Sequence, residues 1–177
     1  MSGYVCPECG LDYDTVAPGD AKVAIRSFPR RYRSALAAAM EDDADAGLIR
    51  RRSEPAVWSA LEYAAHVADI FDVMADIVRE MRLKDHPTLD MFDADERAAS
   101  ARYAEQDPSE VLDRLAANAE RLATEVDAVE PDEWTSRTAT FPWGDRDVLA
   151  MVRNAVHEGS HHLRDIERAL DAARGRS

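Results

Sequence analysis

The sequence predicts an all-α protein, an antiparallel four-helix bundle that follows a short cysteine-containing segment. Three observations carry this prediction: apolar residues recur at helical spacing, capping signals mark the starts of long stretches, and almost nothing indicates a strand. The 177 residues suit one bundle domain, and a hydrophobic content of 46% is enough for a single core. We predict a lead segment at residues 1–19 and the bundle at residues 20–177.

The helices are recognised mainly at their first residues, where short polar side chains can accept hydrogen bonds from free backbone N–H groups. The clearest start is a capping box formed by Ser59 and Glu62. The four predicted helices run from Asp20 to about Met40, from Ser59 to about Leu83, from Asp107 to Pro131 and from Asp145 to about Ala172. Pro29 lies inside the first helix and predicts a kink or a break there.

The charge of the chain excludes several classes of function. Its formal net charge is -13 at pH 7, which makes it a poor partner for nucleic acid or an anionic membrane surface. No apolar run approaches the roughly 20 residues of a membrane span, and the first residues do not resemble a signal peptide. We therefore expect a cytoplasmic protein that acts on a small molecule. Its Ala-rich helix surfaces are compatible with a homodimer.

Both cysteines of the chain lie in the motif Cys6-Pro-Glu-Cys9-Gly10. Two thiolates at this spacing can share one metal ion, and the glycine permits a tight turn, so the motif resembles half of a zinc knuckle. Three interpretations remain open. The motif is a turn with two free thiols, a second metal site completed by a distant residue or another subunit, or a redox or disulfide pair.

Three of the five histidines lie in the stretch 154–166. His157 and His161 are four residues apart, so a helix places them on one face within reach of one divalent ion. His66 is the best third ligand, because it is the only other histidine in a strong helical pattern. Three protein ligands leave positions open for water or substrate. Asp165 lies one turn beyond His161 and is a candidate to orient that imidazole.

The helical wheel gives a competing interpretation. The apolar stripe of the last helix lies nearly opposite His157 and His161, so periodicity alone would leave this pair in solvent. His162 lies nearer the core side and is interpreted as a partly buried spacer. A histidine at the edge of an apolar face, as His66 is, is usually packed or hydrogen-bonded rather than metal-bound.

The order of these motifs along the chain resembles the order in the DinB-like superfamily. This group includes bacillithiol transferases and mycothiol-dependent maleylpyruvate isomerases. The resemblance covers roughly residues 20–172 and leaves out the cysteine motif. The residues that carry it are Trp58, Ser59, Glu62 and His66, followed by His157, His161, Asp165 and Ile166.

The resemblance implies a four-helix bundle with a metal centre formed by His66, His157 and His161, in spite of the helical wheel. Zinc or nickel is the expected ion, and iron, manganese and cobalt suit the same ligands. It also implies a thiol S-transferase that activates a low-molecular-weight thiol, which the Ala-, Arg- and Asp-rich composition suggests is mycothiol-like. The alternatives are a bundle that binds a metal or small ligand without catalysis, and a purely structural or dimerisation module.

Overall fold

A computed structural model describes residues 3–41 and 47–175 of the chain, so residues 1–2, 42–46 and 176–177 of the two predicted domains lie outside it. The predicted all-α bundle is confirmed. The elements within the described ranges are α1 (Pro18–Met40), α2 (Ala60–Leu83), α3 (Ala94–Ser100), α4 (Pro108–Asp127), α5 (Glu133–Ser136), β1 (Thr138–Phe141), β2 (Gly144–Asp147) and α6 (Val148–Ala173). None of these helices has both the length and the apolar character needed to cross a membrane.

The bundle consists of α1, α2, α4 and α6, and both α1 and α2 pack against α4 and α6. Two ion pairs give the relative direction of α1 and α4. Near the start of α1, Lys22 pairs with Asp127 at 3.4 Å, and further along it Arg33 pairs with Asp113 at 2.8 Å. Residue numbers rise on one helix as they fall on the other, so these two neighbours are antiparallel.

The neighbours α2 and α4 run in the same direction. Asp72 pairs with Arg121 at 2.6 Å and Arg82 pairs with Glu125 at 3.0 Å, so residue numbers rise together on both helices. A long connection makes parallel neighbours possible, because the chain must return along the whole bundle before α4 begins. Residues 84–107, which contain α3, form that connection.

The predicted capping box at the start of α2 is present. Ser59 Oγ accepts from the backbone N–H of Glu62, and the Glu62 carboxylate accepts from the backbone N–H of Ser59 at 2.9 Å. Arg52 donates to both oxygens of the same carboxylate, at 2.9 and 2.5 Å. This arrangement fixes the first turn of α2, and His66 projects from the turn that follows.

Pro29 does not divide the first helix, which is continuous from Pro18 to Met40. The proline removes one backbone donor, but burial of the helix face on either side of it outweighs that loss. Phe28 and Tyr32, which flank the proline, are both fully buried against the rest of the bundle. The single helix predicted from Asp20 to about Met40 is therefore confirmed, and of the two effects predicted for Pro29 the break does not occur.

A β-hairpin precedes the last helix, which the sequence did not predict. β1 and β2 are antiparallel, and the turn between them uses Gly144 at φ +102. Because β2 continues to Asp147, this residue caps α6 and accepts from the backbone N–H of Ala150 at 2.7 Å. The predicted cap, Asp145, instead accepts from the hydroxyl of Thr140 within the hairpin at 2.8 Å.

The lead segment packs along α6. A bridge between Val5 and Asp12 closes the cysteine turn on itself. The hydroxyl of Tyr13 donates to Asn154 at 3.2 Å, and Tyr13 is buried. The face of α6 that the helical wheel assigned to solvent is therefore covered by residues that lie outside the bundle.

Candidate metal centres

α6 carries two pairs of metal-binding side chains on neighbouring faces. His157 and His161 form one pair, and Glu158 and His162 form the other. Each residue advances the helix by about 100°, so residues four apart share a face while the pairs point in different directions. The first pair faces the lead segment and the second faces α2.

Two imidazoles and one carboxylate meet between α2 and α6, and we call His66, Glu158 and His162 the inner cluster. Nε2 of His66 lies 3.6 Å from Oε2 of Glu158, and Nε2 of His162 lies 3.2 Å from the same oxygen. One ligand atom from each residue lies within 4.8 Å of the other two. The spacing therefore allows all three side chains to bind one ion.

The inner cluster holds an ionised carboxylate in a half-buried place. Partial burial raises the pKa of Glu158, but hydrogen bonds with the surrounding imidazoles outweigh it and hold this pKa well below its ordinary range. Partial burial lowers the pKa of His162, but the carboxylates of Asp165 and Glu158 outweigh it and raise this pKa to about 9. A carboxylate in such a place is stabilised by a positive partner, which is either a proton on an imidazole or a metal cation.

Aromatic side chains surround the inner cluster. Tyr63 stacks on the His162 ring with centroids 5.3 Å apart, and Trp58 lies 5.1 Å from His66. His66 is 5% exposed, and within residues 3–41 and 47–175 its buried Nδ1 atom has no hydrogen-bond partner. The other ring nitrogen, Nε2, points at the Glu158 carboxylate. Two imidazole nitrogens and a carboxylate oxygen thus converge in the inner cluster, and this donor set fits a bound divalent cation.

The second group, which we call the outer cluster, consists of Cys6, Cys9, His157 and His161. Sγ of Cys6 lies 3.5 Å from Nδ1 of His161, and one ligand atom from each of the four residues lies within 4.8 Å of the others. Both cysteines are buried and neither forms a disulfide. The lead segment supplies the two thiols, and α6 supplies the two imidazoles.

The outer cluster favours one thiolate. Burial raises the pKa of the Cys6 thiol, but backbone N–H donors of Cys9 and Glu8, with two imidazoles, lower it to about 5. Burial is the main reason that the pKa of Cys9 is raised. A hydrogen bond with Glu158 is the main reason that the pKa of His157 is raised. The cluster thus brings a sulfur that favours the thiolate form close to two imidazoles.

Asp165, the predicted orienting residue, contacts both clusters. Its Oδ2 atom lies 3.4 Å from Nε2 of His161 and 2.9 Å from Nδ1 of His162. In His161 and in His162, one ring nitrogen faces the cluster to which the residue belongs, and the other ring nitrogen faces Asp165. A carboxylate in this position fixes the tautomer and the orientation of a metal-binding histidine.

The structure divides the predicted ligand set between the two clusters. His157 and His161 lie together with the cysteines, while His66 lies with Glu158 and His162, and no group in the described part of the chain joins all three predicted imidazoles. His66 faces the side of α6 that carries Glu158 and His162. That side is turned by one residue, about 100°, from the side that carries His157 and His161. The sequence analysis did not consider Glu158 as a candidate ligand and interpreted His162 as a spacer. The four-residue spacing of Glu158 and His162 is the sequence signal that could have pointed to this pair.

These features define a class: a four-helix bundle with a candidate metal centre formed by side chains on facing helices. Within that class the family is shown, because the DinB superfamily model matches residues 28–166. The chain belongs to the DinB superfamily. This family membership agrees with the resemblance seen in the sequence.

One solved structure is similar to this chain over nearly its whole length. It is YfiT from Bacillus subtilis, described as a probable metal-dependent hydrolase with an unusual four-helix bundle topology. The TM-score is 0.78, the sequence identity is 14%, and the match covers 93% of each chain. A likeness at this identity establishes the shared fold. No match was found among curated proteins.

Proposed function

We propose that this chain is a metal-dependent enzyme in which His66, Glu158 and His162 hold a divalent ion. The observation that carries the proposal is the approach of both Nε2 atoms to one oxygen of the Glu158 carboxylate, at 3.6 and 3.2 Å. Two histidines and one glutamate form a known donor set for catalytic zinc, and three protein ligands leave a position for a reacting molecule. Zinc or nickel is our first candidate, and iron, manganese and cobalt accept the same donors.

The ion, when bound, supplies a positive charge that favours the deprotonated form of a water or a thiol. The protein residues position and enclose this centre. Asp165 holds the His162 ring through its Nδ1 atom, and Tyr63 stacks on the same ring. Trp58 and Phe92 pack against His66, with ring centroids 5.1 and 6.1 Å away.

A groove of about 250 Å³ beside the inner cluster is our candidate substrate site. It adjoins the cluster because Tyr63 and Asp165, which both contact His162, also line the groove. Arg168 adds an exposed guanidinium that suits an anionic substituent. A small molecule fits this space, and the net charge of -13 disfavours a nucleic acid or an anionic membrane.

Thiol S-transfer is the first candidate reaction, because the family resemblance includes thiol-dependent transferases. A low-molecular-weight thiol such as mycothiol loses its proton to solvent, and its sulfur forms a bond to an electrophilic carbon. The leaving group departs from that carbon with the bonding electron pair. A divalent ion held by the inner cluster would favour this step, because a cation stabilises the thiolate and a thiolate is a stronger nucleophile than a thiol.

Hydrolysis is the second candidate reaction, and two observations favour it. The two-histidine, one-glutamate donor set occurs in zinc hydrolases. The structural neighbour YfiT is described as a probable metal-dependent hydrolase. In this reaction water adds to an electrophilic carbon, its proton leaves, and the bond to the leaving group breaks.

The test combines metal analysis with two assays, conjugation of a thiol to a haloarene and hydrolysis of activated esters and amides. We expect His66→Ala and Glu158→Gln to lose the inner metal and to lose turnover in parallel. His86→Ala is the matched control, because His86 is exposed beside the hairpin and belongs to neither cluster.

The outcomes separate the alternatives. Turnover in one assay that disappears with the inner metal supports the enzyme and identifies its reaction class. Metal binding without turnover in either assay supports a binding protein. Full turnover in His66→Ala would overturn the proposed centre.

A further inference from the structure

We propose that Cys6, Cys9, His157 and His161 form a separate structural zinc site that holds the lead segment against α6. The proposal goes beyond the proposed enzyme, because these four residues are distinct from the inner cluster. It starts from the convergence of four ligand atoms within 4.8 Å of one another. Two sulfurs and two imidazole nitrogens are a donor set that zinc prefers in closed tetrahedral sites.

The cysteine turn has the backbone of a metal knuckle before any ion binds. The N–H of Cys6 donates to the carbonyl of Leu11 at 2.9 Å, and the N–H of Gly10 donates back to the carbonyl of Cys6 at 2.8 Å. Gly10 has φ +73, a conformation that residues with side chains rarely adopt. The turn therefore holds both thiols on one side of the segment.

The imidazoles are oriented to complete the site. Nδ1 of His161 faces Cys6, while its Nε2 atom faces the carboxylates of Glu8, at 3.7 Å, and Asp165, at 3.4 Å. A zinc-bound histidine commonly donates its outer N–H to a carboxylate in this way. Within the part of the chain that the structure describes, Nε2 of His157 is buried without a hydrogen-bond partner. A cation among the four residues would satisfy that nitrogen.

The number of ligands indicates a structural role. Four protein ligands fill a tetrahedral site and leave no position for substrate, whereas the three ligands of the inner cluster leave one open. The other contacts between the lead segment and α6 are hydrogen bonds, ion pairs and ring contacts. Among these, Arg153 donates to the carbonyl of Val16 at 3.1 Å, and Arg164 donates to the carbonyl of Glu8 at 3.2 Å. A zinc ion would add the strongest link between the two.

The first experiment identifies the ligands in the whole protein. Metal-free protein is reconstituted with Co²⁺, and we expect thiolate-to-cobalt charge-transfer absorption. X-ray absorption of the zinc form of His66→Ala, which should lack the inner metal, should show two sulfurs at about 2.3 Å and two nitrogens at about 2.0 Å. The absorption should persist in His66→Ala and disappear in the double variant Cys6→Ser with Cys9→Ser.

These results are independent of the proposed enzyme, because the charge-transfer absorption needs the cysteines and does not need turnover. Zinc with only nitrogen and oxygen neighbours in the wild-type protein would overturn the structural site. Equal absorption in the double cysteine variant would overturn it as well.

A second measurement does not depend on variants that could misfold. Both thiols of the zinc-loaded wild-type protein should resist an aromatic disulfide reagent and should react fully after a chelator removes the metal. Hydrogen exchange in residues 3–16 should rise at the same time, while the circular dichroism of the helices is retained. Equal thiol reactivity before and after chelation would overturn the proposal, as would an intact mass that shows a Cys6–Cys9 disulfide.

Discussion

The Oδ2 atom of Asp165 lies 2.9 Å from Nδ1 of His162. The same oxygen lies 3.4 Å from Nε2 of His161, which belongs to the outer cluster. One carboxylate on α6 therefore contacts an imidazole of each cluster on the side away from its candidate ion. Asp165 is therefore placed to position both imidazoles, and it also lines the groove beside the inner cluster.

Substitution Asp165→Asn should weaken metal binding at both clusters. The amide keeps the size of the side chain but removes the charge that orients the two imidazoles. Loss of such a partner typically lowers metal affinity about 10- to 100-fold. Competition with a chromophoric chelator measures the affinity of each site. Asp171→Asn, an exposed change on the same helix, is the control. Unchanged affinity at both clusters would contradict the positioning role.

Substitution Asp69→Asn should lower stability and leave metal affinity intact. Asp69 lies one turn after His66 but points away from the inner cluster, where it accepts from Tyr103 at 2.8 Å and from Arg97 at 2.6 Å. Loss of charge-assisted hydrogen bonds in this buried place should reduce the free energy of unfolding by about 1–3 kcal/mol. Urea denaturation measures the loss, and a parallel loss of zinc would show that Asp69 supports the metal centre after all.

Substitution Glu62→Gln should remove part of the pH dependence of stability. Burial raises the pKa of Glu62, but hydrogen bonds from Arg52 and Ser59 outweigh it, so this pKa is lower in the folded chain. The carboxylate therefore contributes stability above its unfolded pKa of about 4.3. That contribution is lost as pH falls through the lower pKa of the folded state.

Thermal unfolding between neutral and acidic pH tests this prediction. The variant should be less stable than the wild type at neutral pH, and the difference should shrink as the medium becomes acidic. Glu54→Gln, at an exposed position just before α2, should show the wild-type profile. A difference that stays constant with pH would show that the charge of Glu62 contributes nothing.

Substitution Gly159→Ala should destabilise the bundle by steric overlap. A Cβ atom at this position would lie 2.5 Å from Cε2 of Phe28, and the carbonyl of Gly159 accepts from the buried hydroxyl of Tyr32 at 3.0 Å. Neither group can move freely, so we expect a loss of about 1–3 kcal/mol in the free energy of unfolding. Gly19→Ala, where the new methyl group meets open space, is the control. Replacing Phe28 with leucine should restore part of the loss in Gly159→Ala.

The helices were predictable because their signals are local. The Ser59–Glu62 capping box and the Asp107 cap lie where the structure has them, since a cap depends on residues within one turn. The hairpin before α6 was missed because its strands span only four residues each and read as a polar, aromatic loop. The parallel direction of α2 and α4 depends on the path of the connection at residues 84–107. The spacing of apolar residues within each helix carries no information about that path.

The site was predictable only in part, for a different reason. The four-residue spacing of His157 and His161 correctly placed both on one face of α6, but spacing does not say which element lies opposite that face. The helical wheel assumed solvent there, whereas the structure has Cys6 and Cys9. The direction of His66 is set by the packing of α2 on α6, and this packing selects Glu158 and His162.

The two ligand pairs on α6 are offset by one residue, so a rotation of α6 about its own axis would displace both pairs from their clusters. Turning α6 by the roughly 100° that separates consecutive residues would carry one pair towards the place of the other. Glu158 would then approach the thiols, where a carboxylate meets negative sulfur, and such a turn is unfavourable. Two bound ions would fix the rotation of α6 about its axis from two sides. A spectroscopic probe at the cysteines would therefore also report how the helix is oriented at the proposed catalytic ion.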